Sequence, residues 1–252
     1  MSSVADEPFA APAAQPVPSA PQPRRWARRL LLVLLLLAGL AGLGGGGAAL
    51  AAELTRHPTK AEVVAAGQAE VASRWQRLPA GRIFPATIRY LSTNGAAVVA
   101  ARVGIAPPAS CRAALDRAVF SLVRRRGCLT VLRASYLDGS GTVAAAIGVV
   151  VMSSPAAAQK AQGALPSDAG IRMPSFPGTR IALAGNAQRV FAQATLAAGP
   201  YLLFTVAGAT DGRPGADLIT GAPLDMTSGI GGRVQAVLTG GPAPCSRKDI
   251  RC

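Results

Sequence analysis

A basic cluster stands directly before a long apolar run near the N-terminus of this chain. The cluster consists of Arg24, Arg25, Arg28 and Arg29, and the leucine-rich run begins at Leu30. Positive charges stay on the cytoplasmic side of a membrane while the apolar residues enter it. The pattern therefore predicts a cytoplasmic N-terminus and a C-terminal domain outside the cytoplasmic membrane.

The apolar segment, residues 30–52, holds 23 residues without a charge. As a helix it would span about 34 Å, enough for a hydrocarbon core of about 30 Å. Ala49-Leu50-Ala51 also fits a small-x-small cleavage site, so a cleaved signal peptide is the alternative. We favour a retained single-pass anchor, because the run exceeds the about 7–15 apolar residues of an ordinary signal core.

The predicted cytoplasmic tail, residues 1–29, contains six prolines before residue 24. Such a composition buries too little apolar surface to offset the entropy of ordering, which predicts a disordered segment. The expected organisation is then the tail, a transmembrane helix over residues 30–52, an extracytoplasmic domain over residues 53–239, and an irregular Cys-containing tail over residues 240–252.

The exported part is strongly basic. The segment before residue 53 holds four of the 26 basic residues and two of the 12 acidic ones, which leaves 22 and 10 for the remainder. Outside a cell, the anionic surfaces available are lipid headgroups and envelope polymers. Aromatic residues make up only 4% of the chain, which is too few for the stacking platforms that single-stranded nucleic acids need. We therefore expect a membrane and an envelope protein or anionic polymer as partners, and no nucleic acid.

The cysteines are Cys111, Cys128, Cys245 and Cys252. An even number in an oxidising compartment favours disulfides over metal ligation, and the spacing lacks the Cys-x2-4-Cys pairs of zinc sites. Three pairings are formally open. We expect Cys111–Cys128, which encloses one predicted helix, together with Cys245–Cys252 in the tail.

Helical and strand-like patterns alternate along the domain. A capping box at Thr59–Glu62 predicts the start of a first helix. A hairpin is expected from Arg82–Leu91 and Ala97–Ile105, with a type I′ turn at Asn94-Gly95 and an end at Pro107-Pro108. A second helix is expected to begin near residue 110 and to end at residue 127, where glycine suits the position after a helix.

The second predicted hairpin should form the centre of the sheet, with Tyr136 and Ile147 on its buried face. The remaining expected elements are the strands of this hairpin at Leu129–Leu137 and Val143–Met152, a helix at Ser154–Leu165, a hairpin over residues 190–206 and a helix at Leu224–Leu238. Antiparallel hairpins interleaved with helices predict an α+β fold with helices on one face of an antiparallel sheet.

Four segments of the domain resemble segments of uncharacterised exported proteins of actinobacteria. They are Arg77–Ala86, Arg102–Pro107, Gly127–Tyr136 and Ala198–Tyr201, and the similarity extends over most of residues 55–215. The resemblance implies a membrane-anchored extracytoplasmic domain and implies no activity.

The residues that usually carry catalysis are scarce. The lone histidine, His57, precedes a proline next to the apolar segment, a poor place for a Ser-His-Asp or Cys-His site. Asp211, Asp217 and Asp225 could bind a cation or act as acid and base, but turn formation explains them better. No cofactor or metal site is predicted.

The run Arg124-Arg125-Arg126 falls in the last turn of the predicted second helix, where cations complement the helix dipole, and it is also a candidate anion contact. The function favoured by the sequence is a non-catalytic, membrane-tethered domain that binds or scaffolds a cell-envelope component. The alternative is a carrier or sensor domain with an apolar pocket for a small molecule or lipid.

Overall fold

The computed structural model describes residues 26–40, 56–166, 169–177, 189, 191–196, 199–214 and 221–240. The chain divides into two compact units, Met1–His57 and Pro58–Cys252. In the first unit, residues 26–40 are helical (α1). Within the described ranges, no helix combines the length and the apolar character needed to cross a membrane. The part of the predicted spanning segment from residue 41 onward lies outside the described residues.

The second unit contains helices and strands in the predicted alternation. Its helices are α2 (Lys60–Arg77), α3 (Ala80–Ile83), α4 (Cys111–Ala114), α5 (Arg117–Val123) with a 3₁₀ turn (Arg124–Arg126), α6 (Pro155–Gln162) and α7 (Gly221–Thr239). Its strands are β1 (Thr87–Leu91), β2 (Ala97–Ala109), β3 (Cys128–Asp138), β4 (Val143–Met152), β5 (Phe191–Leu196) and β6 (Tyr201–Ala209).

The six strands form one sheet in the order β1-β2-β3-β4-β6-β5, and every neighbouring pair is antiparallel. The α+β prediction is confirmed. The β3–β4 hairpin lies at the centre of the sheet, as predicted, and the side chains of Tyr136 and Ile147 are fully buried on one of its faces.

The sheet is covered on both faces, so the prediction of helices on a single face is wrong. All ten residues of β4 are buried, and they alternate between two cores: Ile147 and Val149 pack with α2, α3 and α7, whereas Ala146 and Val150 pack with α4, α5 and α6. A strand buried on both faces reads as a continuous apolar run. The uninterrupted apolar sequence of β4 was the signal for this second layer.

The first hairpin departs from the prediction in three places. Residues Ala80–Ile83 form the short helix α3, so β1 begins only at Thr87. The turn is not type I′, because that type needs positive φ at both central residues and only Gly95 has it. Pro107-Pro108 does not end the strand: β2 continues to Ala109 past a register shift, and such irregularities accommodate residues that lack an N–H.

The predicted second helix is broken into α4 and α5. The helix α4 begins next to residue 110, as predicted, and Ser110 caps it by accepting a hydrogen bond from the Ala113 amide. The two residues between the helices are extended because Leu115 forms a β-bridge with Ile171, a residue far along the chain. This break changes the direction of the chain, and the candidate site lies at it.

A disulfide joins Cys111 at the start of α4 to Cys128 at the start of β3, with a Cα–Cα distance of 6.4 Å. This predicted pairing is confirmed. Cys245 and Cys252, the second predicted pair, lie outside the described residues.

The helix α2 is bound firmly to the sheet. Its capping box is present: the Glu62 amide donates to the Thr59 hydroxyl, and the Glu62 carboxylate accepts from the Thr59 amide at 2.7 Å. The buried hydroxyl of Tyr201 in β6 donates to the carbonyl of Val71 and accepts from the amide of Trp75. The first helix after the apolar segment is therefore part of the domain core.

Candidate functional site

The helix α5 and its 3₁₀ extension divide into a buried face and a polar face. Val119 and Val123 are fully buried in the core, whereas Arg117, Ser121 and Arg124 are exposed. Residues four and seven positions apart share one side of a helix. The spacing of these three residues therefore directs two guanidinium groups and a hydroxyl to the same side.

Two further arginines come from neighbouring segments. Arg112 is an exposed residue of α4, where Cys111 and Ala114 face the core. The backbone of Arg172 is held against the end of α4, because its amide donates to the carbonyl of Ala114 at 2.8 Å.

These elements enclose an open cleft of about 640 Å³. The lining residues are Ser110, Arg112, Ala113, Arg117, Phe120, Ser121, Arg124 and Arg172. Four of them are arginines, and none of those described as lining the cleft carries a carboxylate. We call this site the arginine cleft.

The arginine cleft is suited to bind anions. The guanidinium group is always charged and offers five N–H donors in a planar fork that matches carboxylate and phosphate oxygens. Charges of one sign that line a cleft also focus the field and raise the local concentration of oppositely charged ligands. The cleft therefore offers several donor groups, without a lining acid to compete with the ligand.

Arg133 of β3 adds positive charge next to Arg172, outside the residues that line the cleft. Its Nη1 donates to the carbonyl of Arg172 at 3.0 Å. Burial lowers the pKa of the Arg133 guanidinium, and the nearby positive charge of Arg172 lowers it further. The two arginines thus repel each other, which is the electrostatic condition that an anion bound between or beside them would relieve.

The carboxylate at the break between the helices is already paired. Asp116 forms an ion pair with Arg189, with a distance of 2.5 Å between Oδ2 and Nη1. Arg189 also donates from Nη2 to the carbonyl of Ile171 at 3.0 Å. Arg189 thus joins the break to the segment at Ile171, and its positive charge balances the negative charge of Asp116.

The three arginines of the predicted anion contact, Arg124, Arg125 and Arg126, do not share one site in the structure. Only Arg124 lines the cleft. Arg126 donates from Nη1 to the carbonyl of Leu122 at 2.8 Å, which satisfies a free carbonyl at the end of the helix. Arg125 is exposed and lies outside the lining. The useful signal was the spacing of Arg117 and Arg124, because adjacent helical residues point in different directions.

The aspartates that the sequence offered as candidate cation ligands or acid–base groups do not form a second site in the part of the chain that is described. Asp211 is paired with Arg213, and hydrogen bonds from Arg213 lower the pKa of its carboxyl group. Asp225 accepts from the amide of Thr93 at 2.6 Å, and Asp217 falls outside the described residues. No group of three or more His, Cys, Asp and Glu side chains that could hold a metal occurs among the described residues.

Every described acidic residue from position 58 onward has a partner. The pairs are Glu62 with Thr59, Glu70 with Arg74, Asp116 with Arg189, Asp138 with the Val143 amide, Asp211 with Arg213, and Asp225 with Thr93. His57 is exposed and belongs to the first unit. Of the four arginines predicted to set the membrane orientation, Arg28 and Arg29 belong to α1, and Arg24 and Arg25 lie outside the described residues.

Two further clefts are weaker candidates for an anion-binding site. One, of about 530 Å³, lies between α2, α3 and α7. It contains arginines, but also the ion pair of Arg74 with Glu70 at 3.2 Å. The other, of about 420 Å³, lies beside α2 near Leu129 and Pro200, and no charged residue is among those that line it. Neither combines several cationic groups with a lining free of acids.

Comparisons with protein-family models, with curated proteins and with solved structures found no match to this chain. The chemistry of the arginine cleft is therefore the basis for assigning a function.

Proposed function

We propose that the domain is a non-catalytic module that binds an anionic component of the cell envelope through the arginine cleft. The observation that carries the proposal is the convergence of Arg112, Arg117, Arg124 and Arg172 on one cleft whose lining has no carboxylate. Pairing of the described carboxylates supports a binding role over acid–base chemistry.

The energetics favour a ligand with several negative charges. A hydrogen bond to a charged group contributes about 1.5–3 kcal/mol when it is shielded from water, and exposed ion pairs contribute about 0.2–1 kcal/mol each. One exposed arginine therefore holds an anion weakly. Four arginines on one cleft can engage neighbouring charged groups together, as a polymer with repeated phosphate or carboxylate groups would present them.

Tethering to the membrane is part of this proposal. It rests on the uncharged residues 30–52 and on Arg24, Arg25, Arg28 and Arg29 before them. A reporter that is active only in the cytoplasm, fused after Cys252, should be silent. Activity of that reporter would place the domain in the cytoplasm and would contradict the envelope as the location of the ligand.

The alternative, a carrier with an apolar pocket, would need free space between the sheet and a helical layer. Large buried side chains occupy that region on both faces, including Tyr136 and Tyr201 on one and Phe204 on the other. The packing of both layers therefore favours surface binding over an internal carrier site.

Binding of a phosphate-containing polyanion tests the proposal. We would titrate the full-length chain, in a non-ionic detergent, with long-chain inorganic polyphosphate. The variant Arg117→Gln/Arg124→Gln should bind at least about tenfold more weakly, because it loses two charged contacts of roughly 1 kcal/mol each.

The matched control is Arg77→Gln/Arg125→Gln, which removes the same charge from two exposed arginines outside the cleft. We expect it to change the affinity less than about twofold, since only the general field is reduced. Equal losses in the two double variants would mean that net charge alone attracts the polymer, and the cleft would then have no specific role.

A further inference from the structure

Each of the two serine hydroxyls of the arginine cleft already makes a hydrogen bond, one as the acceptor and the other as the donor. The Ser110 Oγ accepts from the amide of Ala113 at 3.4 Å, so its own proton remains available to a ligand. The Ser121 Oγ donates to the carbonyl of Ala118 at 2.7 Å, so it can offer only its lone pairs. A hydroxyl has one proton and two lone pairs, and the cleft therefore presents a donor at Ser110 and an acceptor at Ser121.

A bare phosphate does not match this arrangement. Its oxygens accept hydrogen bonds, which suits the arginines and Ser110, but the ionised phosphate group of an ester or diester has no proton for Ser121. An acceptor next to an anion would weaken binding unless the ligand brings a donor of its own. The lining thus indicates a ligand that carries hydroxyl groups in addition to negative charge.

The lining also has an apolar part. Phe120 is half-buried and packs against the core beneath it, and it lines the cleft together with the exposed methyl group of Ala113. Aromatic side chains in binding sites supply contact area for apolar groups. The C–H groups of a sugar ring are of this kind, and the volume of about 640 Å³ is in the usual range for small-ligand sites.

We infer that the arginine cleft binds a phosphorylated sugar. The arginines hold the phosphate, the C–H groups of the sugar ring contact Phe120, and a sugar hydroxyl donates to Ser121. This inference rests on the proposed function and narrows its ligand to the sugar-phosphate unit of an envelope polymer. It differs from the attraction of any polyanion, because Phe120 and Ser121 contribute nothing to a bare phosphate.

The test compares two phosphate monoesters, α-glucose 1-phosphate and methyl phosphate, at a pH where both are dianions without a P–OH group, with glucose as the uncharged control. Titrated into the full-length chain, glucose 1-phosphate should bind about fivefold or more tightly than methyl phosphate, since it adds a hydrogen bond and apolar contact. Ser121→Ala and Phe120→Leu should each reduce that preference, while the affinity for methyl phosphate stays within about twofold of the unsubstituted chain.

The matched control is Ser73→Ala on α2. The Ser73 hydroxyl also donates to backbone carbonyls of its own helix, at 3.0 Å for Ala69, but it lies away from the arginine cleft. We expect this variant to keep the preference for glucose 1-phosphate. If Phe120→Leu lowers stability, Ser121→Ala carries the test, because alanine is well tolerated in a helix.

The outcomes distinguish a failure of the sugar-phosphate inference from a failure of the proposed function. Equal affinity for the two anionic probes, with a polyphosphate affinity that still depends on Arg117 and Arg124, would overturn the sugar-phosphate inference alone. Polyphosphate binding that is unchanged in Arg117→Gln/Arg124→Gln would overturn the proposed function. A polymer with sugar-phosphate repeats should compete at a lower concentration per repeat than glucose 1-phosphate. If the polymer and glucose 1-phosphate compete at the same concentration per repeat, the natural ligand is a free sugar phosphate.

Discussion

Removal of the Cys111–Cys128 disulfide should lower the free energy of unfolding by about 3 kcal/mol. The bond joins residues 17 positions apart, and the loop-entropy relation for a closed loop of that size gives about 3 kcal/mol at 25 °C. Total stabilities of domains are about 5–15 kcal/mol, so the loss is a large fraction. The melting temperature should fall by about 6–12 °C for a unit of this length.

The perturbation is Cys111→Ala/Cys128→Ala, with Cys245→Ala/Cys252→Ala as the matched control. Urea unfolding can be followed by the fluorescence of Trp75, which is half-buried against the core that contains Tyr136 and Ile147. The first variant should have a lower unfolding midpoint, and the control should lose less, about 2.4 kcal/mol by the same relation, because its loop would be shorter. An unchanged midpoint in the first variant would refute the reasoning that this loop limits the unfolded chain.

Two further predictions concern the sheet. Ile147→Asp should lower the free energy of unfolding by several kcal/mol, because it places an unpaired carboxylate at a fully buried position. Ala156→Asp should have a mild effect, since that residue is exposed in the first turn of α6. Equal melting temperatures of the two variants would contradict the placement of the sheet. Burial raises the pKa of Tyr136, although the positive charge of Arg102 partly opposes this. In the unfolded chain this tyrosine ionises above about pH 10, whereas in the folded chain it stays protonated. Its contribution to the free energy of unfolding is therefore complete below about pH 10 and is lost as the pH rises, by up to about 1.4 kcal/mol per pH unit. Tyr136→Phe should flatten this alkaline loss in urea titrations at pH 9–11, and an unchanged slope would mean that Tyr136 is not its source.

The parts of the fold that the sequence predicted well depend on strong local signals. The bounds of β4, Val143–Met152, agree with the prediction, because an apolar run ends there at turn residues on one side and at a helix cap on the other. The Cys111–Cys128 pair followed from a short loop around one helical segment. In both cases, neighbouring residues contain most of the information.

The errors arose where distant residues decide the local structure. The pattern after residue 110 is helical throughout, but the bridge between Leu115 and Ile171 makes the chain extended between α4 and α5. The arginine cleft shows the same limit. Arg117 and Arg124 can be placed on one face from their spacing, whereas Arg172 joins them only through a backbone bond to Ala114. No local periodicity predicts that contact.

Crosslinking in intact cells would identify the molecule that occupies the arginine cleft. A photoreactive amino acid would replace Ala113, an exposed residue that lines the arginine cleft, or, as the control, Ala156, an exposed residue of α6 that is not among those lining the cleft. We expect a covalent adduct with a phosphate-bearing envelope polymer from position 113, which is lost in Arg117→Gln/Arg124→Gln and absent from position 156. Equal adducts from the two positions, or no polymer adduct from position 113, would contradict the proposed function.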